Sequence, residues 1–238
     1  MTTDLVYGRR AVRELLRGRR QVFEVWATER ALAGEPWLRE AANLRVVVKP
    51  ERDLTGEAGV REHQGVVARA EPYRYADAYE LAAQPAPLLV CLDRVSDPRN
   101  LGAVCRSAEG AGATGVVIPE HGSARVTAAV CKTSAGAVEH LPVAVVTNLA
   151  RYLSEAKGPR LWVYAADAAA EQTVWETEFP EGIMFVLGAE GQGVRPLVRR
   201  ACDERISIPL AGRVESLNVS VAAALLLFEV RRRRGLGA

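Results

Sequence analysis

Apolar positions along this chain change rhythm near residue 72. Before it, Gly8–Leu16 sets Ala11, Val12, Leu15 and Leu16 on one side of a helix. Gln21–Ala27 and Leu44–Val48 read as strands, with a helix over about Pro36–Ala42 between them, and Gly65–Ala70 reads as the last strand of this part. These elements predict a small α/β domain over residues 1–72. Glu71–Gln84, with three tyrosines, reads as a linker passing into a short helix, so a connecting stretch at 73–86 leads to a second domain at 87–238. There, apolar blocks at Leu88–Leu92, Gly115–Ile118, Leu141–Val146, Leu161–Ala165, Ile183–Leu187 and Arg205–Pro209 alternate mostly with helical stretches. Strand–helix alternation implies an α/β fold with a mainly parallel sheet and helices on both faces. The last helix, Val219–Val230, is apolar nearly all round. One sheet face cannot cover a helix on every side, so a second burying surface is expected, and a homodimer supplies one.

Composition narrows the class. An apolar content of 49% and a charged content of 25% are ordinary for a soluble globular protein. The longest apolar run, Val219–Phe228, is too short to span a bilayer and is followed by Glu229. Arg9, Arg10 and Arg13 interrupt the first residues before any signal-like apolar run, so a cytoplasmic protein without a membrane partner is expected. Cys91, Cys105, Cys131 and Cys202 are widely spaced, with no CxxC or Cys–His pairing. Buried free thiols, and neither disulfides nor a metal site, are the expectation. Net charge is only +2, but arginines cluster at 9, 10, 13, 17, 19 and 20 and again at 231–234. Such runs meet phosphates, or simply form a solvated helix face and a basic helix C-terminus favoured by the macrodipole.

Three segments interrupt the strand–helix pattern with polar turns: LDRVSDPRNLGAVCRSAEGAGATGVVIP (92–119), FVLGAEGQGV (185–194) and ISIPLAGRVESLNVSVAAALLLFEV (206–230). Strand, turn, helix is how α/β proteins build small-molecule sites at the carboxyl ends of their strands. The motifs GxGxxG and GxxxxGK[ST] are absent, which removes the support for a dehydrogenase or an NTPase. Asp97-Pro98 makes a good helix start. Beyond it Leu101, Val104, Cys105 and Ala108 form an apolar stripe, with Arg106 roughly opposite. Asn100 and Arg106 then lie about a third of a turn apart in projection, so contact between them needs an irregular first turn or a bridging ligand. Glu190 precedes Arg195 by about one turn, and a local ion pair is its plain structural reading. Ser216 or Asn218 is a natural N-cap for the last helix, whose free N–H groups suit an anion.

In order and spacing these segments resemble the three signature motifs of the SpoU–TrmH family of RNA ribose 2′-O-methyltransferases, over about residues 88–234. LVYGRRAVRELL (5–16) and HQGVVARA (63–70) are similar to the small ribosomal-protein-like RNA-binding domain of the branch that modifies a guanosine of 23S rRNA. The resemblance implies a C-terminal trefoil knot, a homodimer, and S-adenosylmethionine as cofactor. It makes Asn100 and Arg106 the polar residues of the first motif, Glu190 the glutamate of the second, and Ser216 and Asn218 those of the third. Leu187, Gly188, Gly193, Ile208, Leu217 and Asn218 would hold the cofactor, largely through backbone. Arg9, Arg10, His63, Gln64 and Arg106 would meet RNA. The family's arginine is often described as general base, yet a neutral guanidine at pH 7 costs about 8 kcal/mol. Forking onto the phosphate beside the target ribose is an equally good role. The alternatives are a tRNA 2′-O-methyltransferase, or an RNA-binding or ribosome-assembly factor that has lost catalysis; the presence of every polar motif residue argues against the latter.

Overall fold

A computed structural model describes residues 2–40, 46–189 and 191–235. It divides into two compact units: Met1–Arg74 with Arg125–His140, and Tyr75–Ala124 with Leu141–Ala238.

In the first unit the chain runs β1 (Asp4–Tyr7), α1 (Arg9–Arg17), β2 (Val22–Ala27), α2 (Glu29–Gly34), α3 (Trp37–Glu40), β3 (Val46–Val48), α4 (Glu51–Ala58) and β4 (Val66–Ala70). The sheet order is β1-β4-β2-β3, antiparallel except for the parallel pair β2–β3. Three of these elements were not expected. β1 is only four residues long, α2 buries only Ala31 and α4 only Leu54, so none leaves a periodic trace. The expected helix at Pro36–Ala42 is seen as Trp37–Glu40, and the strand at Leu44–Val48 as Val46–Val48; residues 41–45 lie outside the described residues.

Residues 125–140 join this unit through α7 (Ala128–Thr133), which lies against β1, and a 3₁₀ turn at Ala137–Glu139. Arg20 holds them there. Its guanidinium is 8% exposed and grips the 1% exposed carboxylate of Glu139 with two bonds, Nη2–Oε1 at 2.7 Å and Nε–Oε2 at 3.0 Å, and reaches Asp4 at 3.2 Å. A buried charge needs such a partner. Arg20 is therefore an internal strut rather than part of a phosphate-facing arginine cluster.

The second unit contains α5 (Ala78–Ala82), β5 (Leu88–Asp93), α6 (Pro98–Gly110), β6 (Gly115–Pro119), β7 (Val143–Val146), α8 (Leu149–Ala156), β8 (Leu161–Ala166), β9 (Gly182–Gly188), α9 (Pro196–Ala201), β10 (Glu204–Ile206) and α10 (Val219–Arg233). Its sheet is parallel throughout, in the order β10-β8-β9-β5-β6-β7. From β5 the chain moves outward to β6 and β7, then crosses to place β8, β9 and β10 on the other side. β5 and β9 are buried along their length, as fits apolar runs covered on both faces. The last strand is shorter than the expected Arg205–Pro209. After Ile206, Ser207 leaves the ladder, donating its N–H to Gln172 O (2.9 Å) and accepting from Val174 N (2.9 Å). α10 packs on α6 and buries Val219, Ala223, Leu226, Leu227 and Val230. Val221, Leu225 and Phe228 remain 47%, 37% and 48% exposed. No helix of the described residues is long and apolar enough to cross a membrane.

Candidate active site

A cleft of about 470 Å³ opens at the carboxyl ends of β8, β9 and β10. Its walls come from Ala166, Asp167 and Ala168 after β8, from the loop after β9, from Ile206, Ile208 and Leu210, and from Glu215–Leu217 with the first turn of α10. Leu187, Gly188, Gly193, Ile208, Ser216 and Leu217, six of the expected site residues, all line it.

The loop after β9 is folded tightly onto its own strand. Ala189 O accepts from Gln192 N (3.2 Å) and Gly193 N (3.0 Å), and Gly191 and Gly193 turn the chain at φ 74° and 63°. A Cβ at Gly188 would lie 1.9 Å from the Gly193 carbonyl carbon and 2.0 Å from its oxygen. Only glycine fits there, and the wall it makes is main chain. Glu190 lies outside the described residues.

Arg195, at the end of this loop, turns to Asp93 at the end of β5. Its Nε donates to Oδ1 at 2.8 Å, its Nη2 lies 2.6 Å from the same oxygen, and its backbone N–H donates to Oδ2 at 2.9 Å. Reading from the residues alone missed this pair, offering Arg195 to Glu190 instead. The available signal was an acid closing the otherwise apolar run LLVCLD.

Asn218 caps α10 by accepting from Ser220 N (2.9 Å) and donates through Nδ2 to Asn100 Oδ1 (3.0 Å), on the first turn of α6. The first and third motif turns therefore meet directly beside the cleft. Arg106 is exposed on α6 and is not among the lining residues. Cys131 and Cys202 are pushed up to about 12 by burial, so both remain thiols at neutral pH and offer no nucleophile. Among the described residues no group of His, Cys, Asp and Glu is arranged to hold a metal.

The first unit has its own, wider cleft, of about 820 Å³, with Arg9, Arg30, Lys49, Arg61 and Gln64 on its walls. Arg9 is braced there by Gln64 O (3.2 Å) and Glu35 (3.1 Å). Arg10 is exposed but not part of the lining. His63, expected to touch RNA, is fully buried. Gly65 N donates to its Nδ1 (3.0 Å), which places the ring proton on Nε2, facing Thr55 Oγ1 at 2.9 Å. Both nitrogens are spent inside the fold, and the imidazole shapes the turn rather than contacting a ligand. The terminal arginines are also engaged: Arg232 and Arg233 pair with Glu229, and Arg234 donates to the carbonyls of Ala86 and Glu181.

The SpoU rRNA Methylase family matches residues 87–228, and a domain described as RNA 2'-O ribose methyltransferase substrate binding matches residues 5–76. This chain belongs to the SpoU methylase family. Among relatives of this SpoU protein, the 23S rRNA (guanosine-2'-O-)-methyltransferase RlmB of Yersinia pestis is 40% identical over 245 residues, 99% of this chain and 100% of the relative. The RlmB of Ralstonia nicotianae is 44% identical over 83% of this chain and 80% of its own. The solved SpoU methyltransferase AviRb from Streptomyces viridochromogenes, in complex with the cofactor AdoMet, superimposes with a TM-score of 0.82 at 26% identity, covering 98% of this chain and 91% of AviRb.

Proposed function

We propose that this chain transfers a methyl group from S-adenosylmethionine to a ribose 2′-hydroxyl of RNA, its target a guanosine of 23S rRNA. One observation carries the reading: the motif turns converge, with Gly188, Ile208, Ser216 and Leu217 lining one cleft and Asn218 bonded to Asn100 beside it. The full-length match to RlmB supports the guanosine of 23S rRNA as target.

The cleft fits the cofactor. Its volume falls within the roughly 300–1,000 Å³ of small-molecule sites. Leu187, Ile206, Ile208 and Leu217 suit an adenine, and the close main chain of Gly188, Ala189 and Gly193 suits its polar edge. The carboxylates of Asp167 and Glu215 suit ribose hydroxyls and positive charge. When bound, S-adenosylmethionine supplies a methyl group already activated on a sulfonium, so the protein's task is mainly alignment. Ser216, Asn218 and Asn100 order the polar side of the site, and for Glu190 the resemblance implies bracing of the site or of the subunit interface. Arg106 forks onto the phosphate beside the target ribose, directing the 2′-oxygen and steadying charge that develops on it.

Residues 1–72 serve as the RNA-binding domain, 73–86 as linker and 87–238 as the methyltransferase domain. RNA lies along the first unit's cleft, against Arg9, Arg30, Lys49, Arg61 and Gln64, with Arg10 at its approach. The C-terminal segment is threaded as a trefoil knot, a reading supported by the pairing of Ser207 with Gln172 and Val174 before α10 returns onto α6. Two chains join through α10, and the enzyme works on its RNA in the cytoplasm.

The test is incubation with methyl-labelled cofactor and, separately, 23S rRNA and tRNA, followed by mapping of the labelled nucleotide. Label on a 2′-oxygen of a 23S guanosine is expected. Label on a tRNA ribose moves the substrate to tRNA, and label on a base alone, or on neither RNA, overturns the reading. Arg106→Lys is expected to lower the rate at least about tenfold, since a point charge cannot replace the planar fork; a near-normal rate sinks the clamp.

A further inference from the structure

Asp93 is the last residue of β5, and its side chain has no solvent access. A carboxylate there is stable only if the protein meets its charge. Both ends of one loop converge on it. In the β5–β9 register Asp93 stands opposite Gly188, where the loop over the cleft begins. Arg195, where the loop ends, supplies its backbone N–H to Oδ2 (2.9 Å) and its guanidinium to Oδ1 (2.8 Å). Gly191, Gln192, Gly193 and Val194, between these anchors, line the cleft. Around Gly191 and Gly193 the space a Cβ would occupy is open, so side-chain packing does not hold those two turns. Within the loop the turn is closed by Ala189 O accepting from Gln192 N and Gly193 N, so what seats that turn on the sheet is its two ends. We propose that the Asp93–Arg195 pair is the latch that holds the 188–194 loop in its cofactor-binding form, so that these two residues set cofactor affinity without touching the cofactor.

Neither residue lines the cleft, so both are positioning residues. The latch also fixes the start of α9, because Arg195 immediately precedes Pro196. Arg199 on that helix lines the cleft and lies 3.7 Å from Asp167. Releasing Arg195 thus loosens two walls at once, while the opposite walls, Ile208 and Ser216–Leu217, stay on other elements.

The inference rests on the methyl-transfer reading above, and the experiment separates the two. S-adenosylmethionine binding is measured by titration calorimetry on the full chain, wild type, Arg195→Met and Arg195→Lys, with steady-state constants for cofactor and RNA alongside. Arg195→Met is expected to weaken cofactor binding and raise its KM about tenfold, equivalent to about 1.4 kcal/mol. The value of kcat at saturating cofactor and the KM for RNA should stay within about twofold. Arg195→Lys, which keeps the backbone bond and one ion pair, should recover affinity to within about threefold of wild type. A folded Arg195→Met protein with wild-type affinity overturns the latch while leaving the methyl-transfer reading intact. If Arg195→Met does not fold, Asp93→Asn is compared in the same way, and wild-type affinity there overturns the latch equally. Wild-type protein that binds no cofactor overturns the methyl-transfer reading and the latch with it.

Discussion

At Gly188 a single methyl group decides whether the loop after β9 can close. The added carbon would stand 1.9 Å from the Gly193 carbonyl carbon, and that neighbour is backbone rather than the movable end of a side chain. Gly188→Ala must push the turn off its strand. We expect cofactor binding to weaken by at least about a hundredfold, with a stability loss of about 1–3 kcal/mol, read by calorimetry and thermal unfolding. Gly188, Ser216 and Leu217, which the resemblance placed in the site, line the cleft, and each sits in a polar turn bounded by an apolar strand or a helix start, a pattern that is local. Asp93 and Arg195 were not legible as a pair, because their partnership spans 102 residues and exists only once β5 and β9 lie side by side. His63 failed for the same reason from the other direction. An imidazole before a strand is usually part-exposed, and its burial depends on Thr55 in α4, a helix with almost no apolar face.

The end of α10 acts as a clamp built from charges on one helix. Glu229 is nearly buried and binds Arg232 at 2.8 Å and Arg233 at 2.6 Å, while Arg233 also donates to the carbonyls of Val174, Trp175 and Thr177. The Arg232 bond, opposed by burial and aided by Arg233, holds the Glu229 carboxyl down at about 2 against an ordinary 4.5. Because the folded value is the lower one, this contribution is complete above about pH 4.5 and is lost as pH falls from there toward 2. Glu229→Gln should therefore melt below wild type at pH 7, and the two melting curves should converge as pH approaches 2. A constant difference across that window would show that Arg233 holds the 173–177 segment without help from Glu229. The helix itself was plain in the sequence, since fifteen residues from Val219 to Arg233 contain neither Gly nor Pro. The end of β10 was not. Ile208 and Pro209 carry a strand-like pattern, but Ser207 bonds to the 172–174 segment instead of continuing the ladder, a choice made by tertiary contact.

For the whole molecule the open question is what covers the outer side of α10. The return of residues 125–140 to the first unit, held by Arg20 and Glu139 from 119 positions apart, had no local signal. The all-round apolar character of α10 did signal a missing surface. Its inner side is satisfied by the sheet and α6, yet Val221, Leu225 and Phe228 still show 47%, 37% and 48% of their surface. Burying the exposed half of such a side chain contributes about 1 kcal/mol. In a two-fold interface each residue counts twice, so six side chains supply about 6 kcal/mol of gross apolar burial, set against at least about 4 kcal/mol of freedom lost on association. Phe228→Asp removes two of these contributions and confronts two carboxylates across an apolar contact. The dissociation constant should then rise by at least about a hundredfold, seen as a shift from dimer to monomer by light scattering at micromolar concentration. Because Phe228 is half-exposed within one chain, the monomer should stay folded, with its circular dichroism unchanged. Wild-type protein that scatters as a monomer at those concentrations refutes the dimer and leaves the outer side of α10 to another partner.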